Sequence, residues 1–245
     1  MLCPPFRRAG IHVWQVDLPL VSEDPRDWEA TLSREERARC KSFIRPSDGR
    51  CYGLFHSALR DILAGYRGIA ASRVQFEYGH RGKPRLADSD LRFNLSHSGD
   101  IALVAISQAF EVGIDVEKIP ARAEDAGALT SLLSNAERYE IGLKEEGERP
   151  FAFYRAWSRK EAVVKALGEG LYYPLESFSI PLGPMSIDDP RSVALPGIAC
   201  CQLRSSQSLP GYSWALAALG PCAGIEWLNY AFHQESGNLT ERRSK

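Results

Sequence analysis

The sequence predicts an α/β (α+β) fold, and three observations carry that prediction. Short runs alternating apolar and polar residues recur from Ile11 onwards, which is the period of a half-buried strand. Two longer stretches, Asp48 to Ala64 and Phe151 to Leu167, place bulky apolar residues at helical spacing. The two halves also follow a similar order: an early strand, a strong helix, several strands and a final apolar one (Ile101–Ile106; Tyr212–Leu219). This order divides the chain into subdomains at residues 1–109 and 110–233. A polar tail, residues 234–245, is expected to be disordered.

Ile11 to Leu18 alternates and reads as the first strand. Ser33-Arg34-Glu35-Glu36 resembles a helix start, with Ser33 as N-cap and Glu36 as its capping-box partner. Ser47 or Asp48 is expected to cap a second helix, with Tyr52, Phe55, Leu59 and Leu63 on one face. Val74 to Tyr78 reads as a strand. The run Gly79 to Leu86 follows as a turn rich in glycine and cations. Leu91 to Leu95 is a strand expected to lead into a Ser96-His97-Ser98 turn. Ile101 to Ile106 is apolar throughout, as in a buried strand. Pro120 to Ala128 reads as a loop or helix start, and Leu129 to Lys144 as a helix containing Glu137. Phe151 to Leu167 is the strongest helix. Leu175–Pro181, Gly197–Leu203, Tyr212–Leu219 and Ile225–Phe232 read as strands.

Composition narrows the function. The 245 residues carry a formal net charge of -1, so no global field favours nucleic acid or an anionic membrane. No apolar run approaches the ~20 residues of a membrane span. Residues 1–10 have no apolar core of a signal peptide. The six cysteines include no C-x-x-C pair, as expected of free thiols in a reducing compartment. The reading is a cytoplasmic protein.

The stretch richest in chemistry is Val112 to Lys118. As a strand it places Ile114 and Val116 on one face, and Asp115 and Glu117 on the other, with Gly113 leaving the carboxylate face open. Parallel carboxylates suit a hard divalent cation such as Mg²⁺ or Mn²⁺. The same pattern also fits an amphipathic edge strand with a solvated acidic face. On the long helix, Phe153, Trp157, Glu161 and Lys165 form one i+4 stripe, so Glu161 meets Lys165. Two aromatics on that stripe point it towards the interior or a cleft, where a bare Glu–Lys pair would otherwise read as surface. Ser96 and His97 read as donors to an anion or, equally, as ordinary hairpin-turn residues, since adjacent residues make a poor Ser–His dyad and no G-x-S-x-G elbow is present.

Four motifs occur together: Gly82-Lys83-Pro84, Phe93 to Ser98, Val112 to Glu117, and Trp157-Ser158-Arg159-Lys160-Glu161-Ala162-Val163-Val164-Lys165. In this order the chain resembles the 4′-phosphopantetheinyl transferases of the larger, surfactin-synthetase type. The resemblance spans about Ser33 to Leu219. It implies two similar subdomains related by a pseudo-two-fold axis, in a monomer. It implies transfer of phosphopantetheine from coenzyme A to a serine of an apo carrier protein (acyl, peptidyl or polyketide), releasing adenosine 3′,5′-bisphosphate. Mg²⁺ would be held by Asp115, Glu117 and Glu161, with Glu161 and Lys165 as catalytic residues. Arg39, Arg50, Lys83, Ser96, His97, Lys160 and Lys165 match coenzyme A contacts, and Glu137 matches a supporting acid. The chain departs from the family pattern at Ala162, where a serine is frequent, and at Glu36, where the family can carry a base. Two other readings use the same residues: a metal-dependent phosphodiesterase, and a non-catalytic carrier-binding homologue.

Overall fold

The computed structural model describes residues 3–7, 9–19, 27–120 and 130–232, apart from the side chain of Leu171. The loop expected at Pro120 to Ala128 falls mostly, and the polar tail wholly, outside these residues.

Strand β1 (Gly10–Asp17) follows the predicted alternation. After a single turn, α1 (Trp28–Thr31), comes α2 (Arg34–Ser42). It opens on the predicted capping box. Glu36 N donates to Ser33 Oγ at 3.2 Å, and Ser33 N donates to Glu36 Oε2 at 2.7 Å. Helix α3 (Pro46–Arg67) starts before Ser47 and Asp48, and neither caps it. Pro46 sits in its first turn, where a missing N–H costs nothing. The helix continues past Ala64 and stops at Gly68, whose φ of 63° lies in the left-handed region.

Strands β2 (Phe76–Tyr78) and β3 (Pro84–Leu86) form a hairpin, with the glycine- and cation-rich run at its tip. Strands β4 (Arg92–Ser98) and β5 (Ile101–Ser107) pair antiparallel. Ser96, His97 and Ser98 therefore belong to β4 and not to a turn. The turn is Gly99-Asp100, where Gly99 has φ 56°. Strand β6 (Val112–Lys118) lies where it was expected.

Helix α4 (Asn135–Gly142) is shorter than the predicted 129–144 and is capped by a second box, Ser134 with Glu137. Helix α5 (Arg149–Leu167) covers the predicted span. Strands β7 (Arg191–Ser192), β8 (Gln202–Ser206), β9 (Tyr212–Ala218) and β10 (Gly224–Tyr230) complete the order. The strand expected at 197–203 begins only at Gln202.

The strand expected at 175–181 does not form; Leu175–Ser177 is a short 3₁₀ turn. Its burial still alternates like a strand, with Phe178, Ile180 and Leu182 inside. Side chains serve its backbone in place of a neighbouring strand. Ile180 N donates to Glu137 Oε1, Lys160 donates to the carbonyls of Leu175 and Phe178, and Arg159 donates to those of Pro181 and Gly183. Buried backbone groups must be paired, and here three charged residues do it.

Two four-stranded sheets result, ordered β10-β1-β5-β4 and β6-β9-β8-β7. Strand β10 pairs parallel with β1, so it returns to the sheet that β1 opens. The layers are helix, sheet, sheet, helix. Phe55, Leu59, Ile62 and Leu63 of α3 pack on one face of the first sheet. Its other face meets the second sheet through Val13, Leu103, Ile114, Val116 and Trp214. Helix α5 covers the far face of the second sheet with Phe153, Ala156, Val163 and Val164. Each large apolar side chain fully buried in this way contributes about 1.5–3 kcal/mol.

Gly113 sets how closely α5 rides on β6. A Cβ there would lie 2.1 Å from Ala162 O and 2.2 Å from Ala166 N. What approaches this glycine is therefore the helix backbone. Among the described residues, no helix is long and apolar enough to cross a membrane.

Candidate active site

The site forms where the edges of the two sheets meet. Asn94, Ser96 and Ser98 alternate along β4 and so share one face. Their oxygens accept the outward N–H groups of β6: Ile114 N on Asn94 Oδ1 at 2.7 Å, Val116 N on Ser96 Oγ at 3.4 Å, and Lys118 N on Ser98 Oγ at 3.0 Å. These side chains take the place of a neighbouring strand. They leave β6 without a solvated acidic edge, which removes that alternative. Asp115 is buried and Glu117 half-buried.

The same serines orient the carboxylates. Ser96 Oγ donates to Asp115 Oδ1 at 2.9 Å and Ser98 Oγ to Glu117 Oε2 at 3.2 Å. From α5, Trp157 Nε1 donates to Glu117 Oε1 at 3.3 Å, and Lys165 Nζ donates to Asp115 Oδ1 at 2.6 Å and to Ser96 Oγ at 3.0 Å. The i+4 stripe therefore faces β6, and Glu161 lies between Trp157 and Lys165 on it. Burial pushes the Glu161 carboxyl above the usual carboxylate range. Lys165 opposes that rise, while Asp115 and Glu117 reinforce it. Glu117 is also raised, first by burial and then by Asp115, against the hydrogen bond from Ser98.

The donor set is hard oxygen. Asp115 Oδ2 and Glu161 Oε1 are buried without a hydrogen-bond partner, a costly state that a cation would relieve. In this arrangement, among the described residues, no group of three or more His, Cys, Asp or Glu side chains is gathered to hold a metal. The Lys165 ammonium supplies the positive charge next to Asp115 instead.

The other residues singled out in the sequence separate into three groups. Ser96 stands with the carboxylates. His97 points to the other face of β4, exposed, with its ring stacked on Phe55 at 5.1 Å. The surrounding protein, then His56 and Lys165, hold its pKa below the usual value. Arg50 is half-buried in the first turns of the same helix as Phe55. Arg39 ends α2 with its guanidinium over the Tyr52 ring at 5.4 Å, on a cleft of about 810 Å³ that also reaches Glu36, Phe76 and Tyr78. Lys83 Nζ is engaged at Glu111 Oε2 (2.8 Å), Val112 O (3.0 Å) and Ala166 O (3.1 Å), so it ties the hairpin to β6 and the end of α5.

Lys160 does not join the carboxylates. It is fully buried on another flank of α5, 3.0 Å from Glu137 Oε2 and bonded to two carbonyls. Glu137 spends its oxygens on the α4 cap, on Ile180 N and on this lysine. Two residues that hold the acids, Ser98 and Trp157, were not foreseen in that role. The period-2 spacing of Asn94, Ser96 and Ser98 was the available signal.

A family model described as the 4′-phosphopantetheinyl transferase superfamily matches residues 111–217, which contain all three carboxylates and Lys165. The chain is 37% identical over 180 residues to the 4′-phosphopantetheinyl transferase HetI of Nostoc sp., covering 71% of this chain and 75% of that one. It is 31% identical over 211 residues to Sfp of Bacillus subtilis, with 84% and 90% covered. It is 33% identical over 195 residues to psf-1 of Bacillus pumilus, with 78% and 81% covered.

Proposed function

The chain belongs to the 4′-phosphopantetheinyl transferase superfamily, and from that premise we propose a mechanism for its transfer reaction. It is an enzyme that moves phosphopantetheine from coenzyme A to an apo carrier protein. In the proposed reaction the carrier's serine oxygen bonds to the phosphorus next to the pantetheine arm. The bridging P–O bond of the pyrophosphate breaks, and adenosine 3′,5′-bisphosphate leaves. The serine proton passes to the Glu161 carboxylate.

Asp115, Glu117 and Glu161 are the residues that would hold Mg²⁺, or Mn²⁺. The observation that supports this is the pair of buried orphan oxygens, Asp115 Oδ2 and Glu161 Oε1. When bound, such an ion would neutralise pyrophosphate charge and polarise the phosphorus centre. Ser96, Ser98 and Trp157 keep the first two acids in place, so little reorganisation is needed when substrate arrives. Lys165, paired with Asp115 in the free enzyme, would neutralise phosphate charge on the leaving side. His97 and Arg50 face the coenzyme's phosphates from the α3 side, and Arg39 meets its nucleotide end. Lys83 and Lys160 are assigned to the fold, because their donors are already taken. The enzyme works as a monomer in the cytoplasm.

Product analysis tests the chemistry. Incubation with coenzyme A, apo carrier and Mg²⁺ yields adenosine 3′,5′-bisphosphate in step with holo carrier, and removing divalent metal with a chelator stops both. Release of any other nucleotide, or undiminished turnover under chelation, overturns the mechanism.

A further inference from the structure

Helix α5 carries a second functional flank. At about 100° per residue, Phe151, Arg155 and Arg159 lie on the side of the helix away from Trp157 and Glu161. They line a pocket of about 520 Å³ between the helix, the chain at Pro184–Met185 and the β8–β9 turn. That volume falls in the range of small-molecule sites.

The pocket's charge is unbalanced. Among the described residues, none of those lining it is acidic, while two arginines stand one helical turn apart. Arg159 is 1% exposed. It donates to Ser205 Oγ and to the carbonyls of Pro181 and Gly183, and among the described residues no carboxylate meets it. Carbonyl dipoles satisfy its N–H groups without cancelling its charge. Burial, and then the neighbouring charge of Arg155, lower its pKa. Arg155 makes one long hydrogen bond, 3.4 Å to Leu182 O. Its remaining donors have no such partner among the described residues. Hydroxyls of Ser206 and Ser213 and the amide of Gln207 add further polar groups. Phe151, 53% exposed, Met185 and Leu209 form apolar wall.

We infer that this pocket binds a small organic oxyanion, a phosphate monoester or carboxylate with an apolar body. The oxyanion sits between Arg155 and the Ser213 hydroxyl, and the body lies against Phe151 and Met185. The inference does not rest on the transferase reaction. The site does share β9 with the carboxylate cluster: Ser213 pairs in register with Glu117 and meets the Ser158 hydroxyl at 2.8 Å.

Isothermal titration with phenyl phosphate and with phenylacetate tests it on the whole protein. Three forms are compared: wild type, Arg155→Gln, and His97→Gln, which controls for phosphate binding at the proposed coenzyme site. The expected result is saturable binding of at least one probe to wild type and to His97→Gln, weakened at least tenfold in Arg155→Gln. Arg155→Gln should also keep the wild-type melting temperature within about 2 °C, since one long bond is lost. Binding that survives Arg155→Gln unchanged, loss confined to His97→Gln, or no binding of either probe at millimolar concentration overturns the inference.

Discussion

Replacing Lys160 with methionine separates a fold residue from a ligand contact. The side chain keeps its volume, so packing against the Phe178 ring, 4.2 Å from the ammonium, survives in part. Three polar groups lose a partner: Glu137 Oε2 at 3.0 Å, Leu175 O at 2.7 Å and Phe178 O at 2.6 Å. Glu137 retains the N–H groups of Ser134 and Ile180, but its charge is then buried without a counter-ion. Breaking a buried pair from one side costs about 3–5 kcal/mol. For a chain of this size that is roughly a 10 °C fall in melting temperature. The double change Lys160→Met with Glu137→Leu should recover part of the loss, because no buried charge remains. Thermal denaturation followed by circular dichroism reads the stability, and steady-state kinetics at 20 °C reads KM for coenzyme A. The expected outcome is a large fall in melting temperature with KM within twofold of wild type. A KM raised tenfold with stability unchanged would refute the reasoning and place Lys160 on the coenzyme.

The remaining predictions concern the capping box, the glycine under α5 and the cation at Asp115. Burial alone would raise the Glu36 pKa, but hydrogen bonds from His56, Ser33 and Arg60 hold it down at about 2. Its ionised form is therefore stabilised in the folded state. About 3 kcal/mol of stability is present above pH 4.5 and is lost as pH falls towards 2. Urea unfolding of wild type and Glu36→Gln between pH 7 and 2.5 should show their difference shrinking across that window, and a constant difference contradicts it. Gly113→Ala places a Cβ against backbone of α5, so a loss of about 3 kcal/mol or more is expected, with kcat reduced in the folded fraction. A variant as stable and active as wild type would mean that helix and strand are not so closely packed. Lys165→Met should lower kcat at least a hundredfold while KM for the carrier stays within threefold; an unchanged kcat removes Lys165 from the reaction.

Much of this was legible where one physical rule governs one segment. Ser33 and Glu36 announce their capping box because the motif is local, and Val112 to Lys118 alternates because one face of β6 is core. Residues 175–181 were misread for a tertiary reason. Their burial has the strand period, but their hydrogen-bonding partners are Glu137, Lys160 and Arg159, which are distant in sequence. Long-range contacts also decide where Lys160 lies. Its motif neighbours Glu161 and Lys165 face β6, while the helix turns Lys160 away. Ser98 is the reverse case: it stands two residues after Ser96, and strand geometry alone places both on the face that holds the acids. The return of β10 to pair with β1 left no local trace, since parallel pairing across the chain has no turn to mark it.

The central claim is that the cluster of Asp115, Glu117 and Glu161 carries phosphopantetheine transfer. Intact-protein mass spectrometry of apo carrier proteins tests it most directly, with wild type and Asp115→Asn each supplied with coenzyme A and Mg²⁺. The account predicts that wild type adds one phosphopantetheine to the carrier's serine. It also predicts that Asp115→Asn does so at least a hundredfold more slowly at unchanged secondary structure. Equal rates for the two proteins, or no added mass on fatty-acid, polyketide or peptide carriers with wild type, would contradict it.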